Sequence, residues 1–194
     1  MKSGSFTFKE VPVRIVPLAL VFVWLATASA LAQDPSAKPA SAATTVNKTW
    51  SGIERGFISA ADAMPEEKYS FVPTQGEFKG ARSFAEQVQH VACANFAFFK
   101  EFSGVQPDEN CHPDKWPRKT KAEIMKYLRD SFQFADQAIA VLSMENALDK
   151  VEGPYGGSST KLGITVLAVW HASDHYGQIV EYLRMNGIVP PASR

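Results

Sequence analysis

His171 and His175 stand four residues apart, so on a helix they occupy adjacent turns of one side, with Cβ atoms roughly 6 Å apart. Two neutral imidazoles at that spacing can share one divalent ion. A third from a facing helix would make three protein ligands, leaving coordination positions for water or substrate, as in catalytic zinc sites. At about 100° per residue, His175 falls near the face formed by Ile164, Ala168, Ala172, Ile179 and Leu183, with His171 at its edge. His90 is the available third imidazole. The same arithmetic sets it about 120° from Phe84 and Phe102, in a sector with Ser83, Gln87, Ala94 and Ala97. That sector could border a cavity or be the solvated face, and an HxxxH pair also arises by chance on helix surfaces.

Other chemistries lack their residues. Position 172 is alanine, so the general base of an HExxH metalloprotease is missing. Four-helix di-iron proteins need two Glu-x-x-His motifs, and that spacing occurs here only at Glu109–His112, in a proline-containing stretch. No glycine-rich phosphate loop follows a strand, and there is no G-x-S-x-G elbow. Glu86, one turn before His90, is a candidate base, but its more natural role is to close a capping box with Ser83. Asp174 reads as an outer-sphere or surface acid. Cys93 and Cys111, separated by 17 residues, are expected to form a disulfide in an exported chain, worth about 3 kcal/mol in the loop-entropy view. The alternative is that Cys93, one turn after His90, joins a metal or reacts as a thiolate.

The elements that would carry these residues are helices. Val46, Trp50, Ile53, Phe57 and Met64 recur at helical spacing up to Pro65. A connector follows, from about Glu66 to Gly80, whose Tyr69, Phe71 and Phe78 are expected to pack over the other elements. Ser83-Phe84-Ala85-Glu86 opens a second helix reaching about Phe102, with Phe84, Val88, Val91, Phe98 and Phe102 as its stripe. Thr120-Lys121-Ala122-Glu123 opens a third, carrying Met125, Leu128, Phe132, Ala135, Ile139 and Leu142 and expected to run on to the glycines at 153–157. Ser158 or Ser159 would cap a fourth, which stops near Asn186 before Gly187 and Pro190-Pro191. No alternating strand pattern is apparent. The expected fold is all-α, a four-helix bundle over 46–194.

Upstream, Lys2, Lys9 and Arg14 precede an apolar run from Ile15 to Ala26, then Ala30-Leu31-Ala32. This is the pattern of a signal peptide over 1–32, cut before Gln33. The run is short for a membrane span and lacks a basic stop-transfer flank, so no membrane attachment is expected after cleavage. Residues 33–45, rich in Ala, Ser, Pro, Lys and Thr, are expected to be a flexible tether. The product would be periplasmic or secreted. The 194-residue chain has 20 basic and 20 acidic side chains; without the leader, 17 face 19. A slightly acidic domain without a basic stripe has no phosphate footprint, so nucleic acid is not an expected partner.

Three stretches carry a family resemblance. They are Ala60-Ala61-Asp62-Ala63-Met64-Pro65-Glu66-Glu67-Lys68-Tyr69-Ser70-Phe71, Arg82-Ser83-Phe84 with Gln89-His90-Val91-Ala92, and the run from His171 to Ser193 that includes His175-Tyr176-Gly177-Gln178. Together they resemble the DinB-like (DinB/YfiT) superfamily of metalloenzymes over about Val46–Ser193. The resemblance implies a four-helix bundle, typically dimeric, in which His90, His171 and His175 bind a divalent metal, with zinc or nickel expected. It further implies a metal-dependent enzyme of hydrolase or thiol-transferase type acting on a small molecule, in which the metal would stabilise a thiolate or activate water. A reduced thiol cofactor belongs to the cytosol, and the export signal argues against it. The alternative is a non-catalytic bundle that binds a metal for stability or presents a surface to a partner.

Overall fold

The computed structural model describes residues 41–103 and 117–194. Four helices dominate: α1 (Ala42–Ala63), α2 (Phe84–Ser103), α3 (Lys121–Ala140) and α4 (Lys161–Met185). A two-stranded antiparallel hairpin, β1 (Lys150–Glu152) and β2 (Ser158–Thr160), pairs Val151 with Ser159 ahead of α4. Around the bundle, α2 lies between α3 and α4, and α1 completes the ring against the other sides of α4 and α3. The steps from α1 to α2 and from α3 to α4 are thus diagonal, which is why 64–83 and 141–160 are long connections.

Local chemistry sets the helix starts. Ser83 and Glu86 cap α2 reciprocally: Glu86 Oε2 accepts from the Ser83 backbone N–H at 2.7 Å, and Ser83 Oγ accepts from the Glu86 N–H at 3.3 Å. Thr120 and Glu123 do the same for α3. A third box, Ser41 with Thr44, starts α1 at Ala42. The helix therefore begins inside the stretch expected to be a tether, and Ala42 and Ala43 pack against the core. The remainder of that stretch and the leader lie outside the described residues.

The expected stripes are the observed interior, except that Val46 and Ile53 of α1 are only half-buried. Trp50, Phe57, Phe99 and Phe132 are fully buried and meet in edge-on or tilted contacts, with Trp50 centred 5.7 Å from Phe99 and 5.2 Å from Phe132. This aromatic centre joins α1, α2 and α3. Trp50 Nε1 donates to Asp136 at 2.9 Å, and Asn95 Nδ2 donates to Ser131 Oγ at 3.2 Å across α2 and α3. In the first connection Tyr69 is buried and donates its hydroxyl to the Ala61 carbonyl at 2.8 Å, while Phe71 meets Tyr182 edge-on. Phe78 is exposed, contrary to expectation.

The third connection is the larger correction. Helix α3 stops at Ala140, about a dozen residues before the glycines expected to end it. Ser143 and Asn146 give the backbone an alternative: Asn146 Oδ1 accepts from the Ser143 N–H at 2.8 Å, and Asn146 Nδ2 donates to the Val141 carbonyl at 2.8 Å. The strands follow, an element the apolar pattern did not reveal because Lys150, Glu152 and Ser158 are exposed. Gly156 and Gly157, both with positive φ (83° and 79°), form the turn. The cap of α4 is Thr160, whose hydroxyl accepts from the Gly163 N–H at 3.0 Å, rather than either serine. Among the described residues no helix is long and apolar enough to cross a membrane.

Candidate metal centre

α2 and α4 run antiparallel, and their shared seam can be followed pair by pair. Tyr182 donates its hydroxyl to the Arg82 carbonyl at 3.0 Å, Gln87 meets Gln178 at 2.7 Å, and His90 meets His171 and His175. This register settles the open question about His90. The small and polar sector of α2 faces α4, and the imidazole stands in the seam rather than in bulk water. Toward the other end, Phe98 lies edge-on to His171 at 5.2 Å and also meets Tyr155, at the hairpin turn, at 6.3 Å.

The three imidazoles form a closed triangle, with ring centres 5.0, 4.7 and 4.5 Å apart. Each offers a nitrogen, and the three nitrogens lie within 4.8 Å of one another. His90 Nε2 and His171 Nε2 are 3.1 Å apart. An ion about 2.0–2.1 Å from both, the usual zinc–imidazole distance, would see them at an angle of roughly 95–100°. His171 and His175 are buried and His90 is half-buried. The buried atoms His171 Nδ1 and His175 Nδ1 have no hydrogen-bond partner in the protein, whereas His171 turns its Nε2 toward His90 and His175 is hydrogen-bonded by Gln178. Three imidazoles, each offering one nitrogen to a common centre, are a donor set that fits a divalent ion.

Electrostatics keep the rings in ligand form. Burial, reinforced by the Arg82 charge and the neighbouring imidazoles, pushes His90 down to about 3. Burial and His175 bring His171 to about 4, with Asp174 opposing and Arg82 adding. His175 is also lowered, by burial first, against the raising influence of Asp174. At neutral pH all three are uncharged, the state in which imidazole binds metals.

Other candidates separate cleanly. Glu86 closes the cap of α2, its more natural role, with Oε2 accepting from both the backbone and the hydroxyl of Ser83. Cys93 is buried and disulfide-bonded, so it is neither a ligand nor a reactive thiolate; Cys111 and the Glu109–His112 spacing lie outside the described residues. Asp174 is exposed and accepts from Gln178 Nε2 at 2.9 Å, the placement of a surface acid rather than one bonded to a site histidine. Sequence reasoning gave no role to Gln87 or Gln178, although each stands three residues from a site histidine, on the same side of its helix.

The sequence profile of the DinB superfamily matches residues 51–179, and the chain belongs to that superfamily. Among solved structures, a DinB-like protein from Bacillus cereus is similar at a TM-score of 0.62 and 14% identity, over 75% of this chain and 93% of its own. A DinB-like protein from Bacillus subtilis is similar at a TM-score of 0.55 and 17% identity, over 74% and 92% of the two chains. At such identities the likeness concerns the fold alone. No curated protein matches the chain.

Proposed function

We propose that this protein is exported and acts as a metal-dependent enzyme on a small molecule, with one zinc or nickel ion held by His90, His171 and His175. The observation carrying the reading is the convergence of three neutral imidazoles from two helices, two of them with nitrogens 3.1 Å apart. Three protein ligands leave positions at which an ion can polarise a substrate oxygen or lower the pKa of a bound water or thiol. Of the hydrolase and thiol-transferase types, hydrolysis is favoured. The disulfide at Cys93 supports an oxidising compartment, where a reduced thiol cofactor would not persist. The basic, apolar and small-residue pattern of 1–32 supports export.

A catalytic role is preferred to a purely structural one because the aromatic core is built elsewhere. Trp50, Phe57, Phe99 and Phe132 pack α1, α2 and α3 together, and Ile164, Ala168, Ala172, Ile179 and Leu183 join α4 to the same apolar core, so the bundle has a packed interior without an ion. The test is chelation of the purified mature protein. The reading expects helical circular dichroism to survive while a divalent ion is lost, and rebinding of zinc to fail in His171→Ala. Global unfolding on chelation would instead favour the structural role.

A further inference from the structure

The polar pair above the histidines has a direction, and that direction leaves one atom over. Asp174 is a carboxylate and can only accept, so Gln178 must turn its Nε2 toward it, at 2.9 Å. Gln178 then presents Oε1 to α2, where Gln87 Nε2 donates to it at 2.7 Å. The amide of Gln87 is thereby oriented, and its Oε1 is an acceptor without a partner in the protein. Gln87 is only 4% exposed. It stands one turn before His90, while Gln178 stands one turn after His175, so the pair bridges the same seam that holds the three imidazoles. A buried amide oxygen left unpaired is costly, and a site holding such a group discriminates for ligands that satisfy it.

Building on the metal-centre reading, we infer that Gln87 is a specificity-determining residue of that centre. Its Oε1 accepts a hydrogen bond from an N–H or O–H carried by the small molecule that binds there. Asp174 and Gln178 are positioning residues that fix which way the Gln87 amide faces. The ligand class is a metal-binding small molecule with a hydrogen-bond donor next to its metal-binding atoms, such as a hydroxamate, an amide or a hydroxy acid.

A matched pair of probes isolates the donor. Acetohydroxamic acid and N-methylacetohydroxamic acid both chelate through two oxygens, but only the first carries an N–H. Zinc affinity is measured first, on the parent, Gln87→Met and Asp174→Asn proteins. Absence of zinc binding by the parent defeats the metal-centre reading itself, and this inference with it. With zinc bound, titration calorimetry should show the parent favouring the N–H probe by about 5- to 10-fold relative to Gln87→Met, the worth of one hydrogen bond. Met has nearly the volume of Gln, so a preference caused by a clash with the N-methyl group would persist in that variant. In Asp174→Asn the new amide can donate as well as accept, the relay loses its fixed direction, and the preference should fall while zinc binding holds. A parent without the preference, or a preference unchanged in either variant, overturns the inference.

Discussion

Two imidazoles that share a metal must both be neutral, and in this protein burial does most of that work. His90, at about 3, and His171, at about 4, lie below the ordinary value of 6.5, so the unfolded chain takes up protons before the folded one does. The sign follows from linkage: stability of the metal-free protein is full above about pH 6.5 and falls as the pH drops toward the folded values. Urea midpoints should therefore decline between about pH 6.5 and 5, a window above most carboxylate titrations, and decline less in His90→Gln. A midpoint flat across that window would contradict the burial argument. For metal binding, His171→Ala should lower zinc affinity by more than about 100-fold, the upper end of what losing an outer-shell partner costs. Competition with a chromophoric chelator measures it.

At the level of elements, the capping boxes are the clearest link from sequence to position. Thr120→Ala removes the hydroxyl that accepts from the Glu123 N–H, and should cost about 1 kcal/mol and lower the melting temperature by roughly 2–4 °C. Differential scanning calorimetry checks this, with zinc affinity unchanged because α3 contributes no histidine. The starts of α2 and α3 were legible because Ser83/Glu86 and Thr120/Glu123 are local signals. The end of α3 was not: Ser143 and Asn146 divert the backbone through side-chain bonds that apolar spacing does not register. The hairpin escaped notice for a related reason, since strands of three residues with exposed side chains offer too little alternation to detect. For α4, buried Ile164, Ala168, Ala172 and Ile179 fall on the face their spacing indicated, and they carry His175 inward with them. His90 could be placed on its own helix but not against a neighbour. Its surroundings depend on the register of α2 against α4, which neither helix encodes alone, and the Gln87–Gln178 bridge was hidden by the same gap.

For the whole molecule, the arrangement separates what holds the bundle from what gives it chemistry. The aromatic centre of α1, α2 and α3 supplies the packing, whereas the α2–α4 seam carries three histidines and two glutamines that a purely structural interior would replace with apolar groups. Phe132→Ala, deep in that centre, should cost about 3–5 kcal/mol, read by chemical denaturation, and destabilise metal-free and metal-loaded protein alike. The most direct test of the central claim is elemental analysis of the mature protein after equilibration with zinc and removal of excess ion, made beside His90→Ala. The account expects about one equivalent per chain, lost in the variant although its helical content is intact. No bound ion in the parent, or a full equivalent retained without His90, would contradict it.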